Sequence, residues 1–175
     1  MRKKAIILTQ RNVQDHEFIY PYYRLQEAGY KVDVATDDGK ETTGILGTKI
    51  SVNKKISAIK ASDYDLLVLP GGAKAMEYMR QHPRTLKFIK DWDKAGRPIG
   101  AICHAPQLLI SANGIKGRRI SGYYSLKDDI NNAGGKYVDA PVVVDGNIAS
   151  SPHYKYLGDW MKVTLALAEK LNKRR

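Results

Sequence analysis

The stretch GAICHAPQLL, residues 100–109, holds the single cysteine of the 175-residue chain, Cys103, with His104 directly after it. A thiol becomes a strong nucleophile when it ionises, and an adjacent imidazole can accept and return a proton. The pair therefore points to nucleophilic catalysis. An apolar run over 98–102 ends at the thiol and a helix-length segment over 104–112 follows it, so the cysteine is expected where a strand turns into a helix. At a helix start the backbone dipole favours the thiolate and lowers its pKa below the ordinary value of about 8.5. Gly100 and Ala101 before the thiol and Ala105 after it are small enough for the sharp turn of a nucleophile elbow. The competing reading is a small buried hydrophobe, the ordinary role of a free cysteine.

Such a corner needs a sheet to hold it. Short runs rich in Ile and Val alternate with helix-length segments along the chain, the pattern of βαβ units around a parallel sheet. Strands are expected over 4–9, 30–36, 65–69 and 98–102, the third running into Pro70-Gly71-Gly72. Helices are expected over 15–28, 75–80, 83–95, 104–112, 127–132 and 154–171. Gly, Thr and Lys dominate 37–56, which predicts a hairpin excursion there. Shorter strands fall near 137–138, 142–144 and 147–150. The fold class is α/β, a mainly parallel central sheet with helices on both faces, in one domain over residues 1–175. In such sheets the reactive crevice lies beyond the carboxyl ends of the strands, where Cys103 falls.

Composition narrows the classes. At 43% hydrophobic and 27% charged the chain reads as an ordinary soluble protein. No apolar run approaches the roughly 20 residues that span a bilayer, so no membrane partner is expected. A single cysteine forms no intramolecular disulfide, and MRKKAIILTQ lacks the apolar core of a secretory signal, which points to the cytoplasm. The net charge of +11 raises the possibility of nucleic acid, but the basic residues are scattered, clustering only at Lys54-Lys55, 116–119 and 170–175. A solvated basic surface is the expectation instead. His16, His82, His104 and His153 are dispersed with no second thiol, so neither a metal nor a cofactor is expected.

AICHAPQLLISA, together with VLPGG, HEFIYPYYRLQEAGY and VVVDGNIASS, resembles the PfpI/ThiJ family of the class I glutamine amidotransferase-like superfamily. The similarity spans almost the whole chain and implies a flavodoxin-like α/β sandwich. By this resemblance Cys103 is the nucleophile, His104 its partner, and Glu17 the acidic residue that hydrogen-bonds the cysteine. That role asks for a carboxyl kept protonated by burial beside a negative charge. Asp15 is the competitor, with exposure as the expected discriminator. Glu77, in GGAKAMEYMR, matches a carboxylate supplied by a neighbouring subunit, which implies a homo-oligomer, dimer or hexamer, in which the site is completed. Backbone N–H groups of Gly72 and His104 are implied as an oxyanion site, with glycine at 71 and 72 permitting close approach. Where family members carry an arginine after the serine pair, this chain has Pro152, His153 and Tyr154. Tyr123 and His153 are then the expected pocket-lining residues.

The implied activity is a cysteine-dependent hydrolase or lyase of glyoxalase, deglycase or intracellular peptidase type. Its substrates are small 2-oxoaldehydes, glycated groups, or acyl and peptide substrates. The alternative is a non-enzymatic stress protein, a redox sensor or chaperone, whose Cys103 oxidises to a sulfinic acid stabilised by Glu17. A glutaminase of the superfamily carries an acid two positions after its distant histidine, where this chain has Lys155 after His153.

Overall fold

The computed structural model of the protein describes residues 3–174. The chain opens with β1 (Lys4–Leu8), α1 (Asp15–Glu27) and β2 (Lys31–Thr36). The excursion that follows holds β3 (Thr42–Thr43), β4 (Lys49–Ile50) and β5 (Lys54–Lys55). Next come β6 (Leu66–Leu69), α2 (Ala73–Met79), α3 (Pro83–Lys94), β7 (Ile99–Ile102) and α4 (Pro106–Ser111). The last part contains β8 (Arg119–Ile120), α5 (Lys127–Asn132), β9 (Lys136–Tyr137), β10 (Val143–Asp145), β11 (Ile148–Ser151) and α6 (Leu157–Asn172).

Seven strands form one sheet in the order β10-β11-β7-β6-β1-β2-β5, and every neighbouring pair is parallel except β10 with β11. All residues of β6, β7 and β11 are buried, as strands covered on both faces must be. α1 packs against α6, whereas α3 packs against α4 and α4 against α2. Right-handed crossovers put these two groups of helices on opposite faces. The architecture is thus the mostly parallel, flavodoxin-like α/β sandwich expected from the sequence.

The excursion over 37–56 is a hairpin, with β3 and β4 antiparallel, after which β5 pairs with β2 at the sheet edge. The strand expected near 137–138 joins β8 in a separate parallel pair. The final helix begins as a 3-10 turn, Tyr154–Tyr156, before α6. The helix expected from residue 104 begins only at Pro106, because proline's fixed φ and missing N–H suit the first helical position.

Strand order reverses between β1 and β6: the chain leaves β1 for β2 on one side and returns to β6 on the other. This switch point opens a crevice at the carboxyl ends of the strands. The loops that leave β6 and β7 there carry Gly71-Gly72 and Cys103, and α1 brings Glu17 to the same end in its first turn.

Candidate active site

Cys103 is one of three non-glycine residues at positive φ among the described residues, with φ 62°. A non-glycine residue in this region costs on the order of 1–3 kcal/mol and persists only when its surroundings enforce it. Here they do. The Cys103 N–H donates to the Ser151 carbonyl at 2.8 Å, and the Cys103 carbonyl accepts the Tyr123 N–H at 2.7 Å. β11 on one side and the segment after β8 on the other therefore clamp the corner. The thiol itself is only 6% exposed.

α1 delivers a carboxyl to this thiol. Glu17 is fully buried in the first turn of the helix. Its Oε2 accepts the Gly71 N–H at 2.8 Å, and Oε1 is buried with no conventional partner. Burial pushes the Glu17 carboxyl up to about 7, against hydrogen bonds from Cys103 and the Gly71 N–H that pull it down. A protonated carboxyl resolves the orphaned oxygen, since its O–H becomes a donor.

Burial also pushes the Cys103 thiol far above its ordinary value, and the charge and hydrogen bond of Glu17 push in the same direction. Only the N–H groups of Gly72 and His104, which bond the sulfur, pull it down. The expectation of a lowered thiol pKa from a helix start is therefore corrected: α4 starts at Pro106, and the sulfur lies buried beside an acid. Cys103 and Glu17 behave as a coupled pair that cannot both be anionic at low cost. With the retained proton on Glu17, the carboxyl O–H faces a thiolate. With the proton on sulfur, the site is a thiol beside a carboxylate.

His104 Nδ1 lies 3.2 Å from the Cys103 sulfur. Burial lowers the His104 pKa, so the ring is neutral at pH 7 and can accept a proton. Its face stacks on Tyr123 with centroids 4.5 Å apart. The row of rings continues from Tyr123 to His153 at 6.2 Å, then by a tilted contact from His153 to Tyr154 at 4.1 Å, and from Tyr154 to His16 at 5.2 Å. Tyr123 and His153 thus share one aromatic wall with His104. Tyr154, His16 and Tyr124, which lies 5.5 Å from Tyr123, belong to the same wall and were missed in the sequence. They come from separate loops and helix ends, so no local spacing announces them.

A buried acid, a corner cysteine and a histidine on its sulfur, grouped at the switch point, match the quoted sequence pattern. Residues 3–167 match the DJ-1/PfpI family. The chain belongs to this family. A deglycase of Thermococcus kodakarensis is 39% identical over 159 residues, covering 91% of this chain and 95% of the relative. The protein/nucleic acid deglycase 2 of Escherichia coli is 36% identical over 147 residues, covering 83% and 85%. Among solved structures, Drosophila melanogaster DJ-1beta superposes with a TM-score of 0.87 at 29% identity, covering 99% of this chain and 95% of that one.

Other expected residues of this DJ-1/PfpI site fall differently. Asp15 is as buried as Glu17, so exposure does not separate them; their partners do. Asp15 accepts the N–H groups of Leu46 at 2.8 Å and Thr48 at 2.9 Å, latching the β3–β4 hairpin onto α1. Burial would raise its pKa, but these bonds and one from the Thr48 hydroxyl outweigh burial and hold the carboxylate low. Gly71 does not offer its N–H to a substrate, because Glu17 already takes it. Its missing side chain matters instead: a Cβ there would sit 2.6 Å from Glu17 Oε2, 2.7 Å from Cys103 Cβ and 2.8 Å from the Ile102 carbonyl. Gly72, at φ 98°, points its N–H at the sulfur. Glu77 lies on the exposed side of α2 and pairs with Lys74 at 2.7 Å, so within one chain it does not join Cys103 and His104. His104 Nε2 has no partner among the described residues. No cluster of metal-ligating side chains occurs among them, and no helix of theirs is long and apolar enough to cross a membrane.

Proposed function

We propose that the chain is a cysteine-dependent deglycase: it removes 2-oxoaldehyde adducts from amines and turns the carbonyl fragment into a 2-hydroxy acid. The observation that carries this reading is the Cys103 sulfur, held on a strained corner 3.2 Å from His104 Nδ1 and backed by buried Glu17. Relatives named as deglycases in two distant organisms support the reaction class. The slight exposure of the thiol favours a small aldehyde-derived group over a peptide chain, which needs an open groove.

The chemistry follows from the geometry. His104 takes the thiol proton, with Glu17 holding its own proton toward the sulfur. The thiolate attacks the carbinol carbon of the adduct; the C–S bond forms, the C–N bond breaks, and His104 gives its proton to the departing amine. Neutral His104 then moves the hydrogen of that carbon to the neighbouring carbonyl carbon through an enediol. This internal oxidation and reduction leaves a 2-hydroxyacyl thioester. Water cleaves it to the 2-hydroxy acid and restores the thiol, so adduct plus water gives amine plus acid. Oxyanions along the route lie near the N–H groups of Gly72 and His104, which already face the sulfur. In an oligomer, Glu77 of a second copy binds the free Nε2 of His104 and orients the ring.

The test follows the methylglyoxal adduct of N-acetylarginine by NMR. The wild type should release the free amino acid derivative and lactate in equal amounts, and Cys103→Ala should release neither above background. Equal rates for the two proteins overturn the proposal.

A further inference from the structure

A second opening lies away from the cysteine. A cleft of about 730 Å3 separates the β3–β4 hairpin from α2, a size suited to a small organic ligand. None of Cys103, His104 and Glu17 lines it. Three cations do: Arg11, Lys40 and Lys49. Arg11 and Lys49 make no ion pair among the described residues, and Lys40 meets only the charge of Asp38. The Arg11 guanidinium stacks over the Tyr78 ring at 3.9 Å. Stacking fixes the plane while leaving the N–H edges free for a bidentate oxyanion.

Beside the apolar Ile50 and the Tyr78 ring, the cleft carries several neutral polar side chains. Gln10, Thr42, Thr43 and Ser51 supply neutral donors and acceptors. Asp38 Oδ1 accepts the Lys40 N–H at 3.1 Å and the Thr36 hydroxyl at 3.2 Å, and Glu41 adds a carboxylate with no hydrogen bond or ion pair among the described residues. Arg11 and Lys49, without ion pairs among the described residues, beside the hydroxyls of Thr42, Thr43 and Ser51 call for one ligand bearing both a dianion and several hydroxyls. We propose that this cleft binds a sugar phosphate, its phosphate on Arg11 and the neighbouring lysines and its hydroxyls on Glu41 and the threonine rim.

Titration calorimetry with glucose 6-phosphate tests the proposal, with glucose and inorganic phosphate as separate arms. Glucose 6-phosphate should bind the wild type and Cys103→Ala alike, about tenfold or more tighter than either fragment, and more weakly as salt rises. Arg11→Gln should weaken it about tenfold, the order of one charged hydrogen bond. Lys49→Gln, at an exposed position, should weaken it too and serves if Arg11→Gln does not fold. The proposal is overturned by any of four results. These are no binding at millimolar ligand, inorganic phosphate binding as tightly as the ester, and affinity unchanged in the folded charge variants or lost in Cys103→Ala.

Discussion

The titration of Glu17 should be visible in the stability of the whole protein. An acid whose folded pKa lies above its unfolded value stabilises the fold fully below the unfolded value, and that contribution is lost as pH rises through the folded one. For Glu17 the two values are 4.5 and about 7. At 1.36 kcal/mol per pH unit, the folded protein loses roughly 3 kcal/mol across that window from this carboxyl alone. Glu17→Gln cannot titrate, but its amide oxygen can still accept the Gly71 N–H and its NH2 can replace the carboxyl O–H. Urea unfolding of both proteins from pH 4 to 8 isolates the effect of Glu17 and the thiol coupled to it, because groups away from that pair cancel in the difference. The wild type should lose roughly 3 kcal/mol relative to the variant over this range. In a chain of this length that corresponds to a melting difference of about 6–12 °C. A difference that stays flat with pH refutes the picture of a buried carboxyl that holds its proton near neutrality.

Three further substitutions separate the roles assigned above. Gly71→Ala forces a Cβ to 2.8 Å from the Ile102 carbonyl as well as against Glu17 and Cys103, and backbone cannot yield as a side chain does. It should destabilise by about 2 kcal/mol or more and slow Cys103 alkylation, measured by denaturation and mass spectrometry. Asp15→Ala removes two charged hydrogen bonds to the hairpin. It should cost about 2–4 kcal/mol and speed amide exchange at Leu46 and Thr48, while leaving the alkylation profile of Cys103 in place. Glu77→Gln breaks only an exposed pair with Lys74, worth under about 1 kcal/mol, so melting should barely move. Amine release should nevertheless fall about tenfold or more if the carboxylate orients His104 from a second copy.

The parts of this molecule that sequence could reveal are those whose physics is local. β1 and β6 announce themselves because strands buried on both faces need unbroken apolar runs, and the hairpin because Gly and Thr cluster in it. β5 and β8 escape notice because each is a two-residue edge segment, Lys54–Lys55 and Arg119–Ile120, whose strand character exists only through a neighbour. The cysteine, its histidine and the carboxyl of Glu17 were legible through the family pattern. The direction of the thiol pKa was not, although a signal was present: Pro106 marks the first helical position and moves the dipole away from the sulfur. That Glu17 consumes the Gly71 N–H, and that Tyr123, His153, Tyr154 and His16 form one wall, depends on loops from different strands meeting. No spacing along the chain encodes that.

Because Cys103 is the only cysteine, its sulfur can be followed alone. Alkylation by iodoacetamide, sampled across pH and paired at each time point with amine release from the methylglyoxal adduct, tests the central claim most directly. One modified residue is expected, with a labelling rate that climbs as pH rises because burial and Glu17 hold the proton on the thiol, and activity that falls in step with labelling. Complete modification of Cys103 with amine release intact would contradict it.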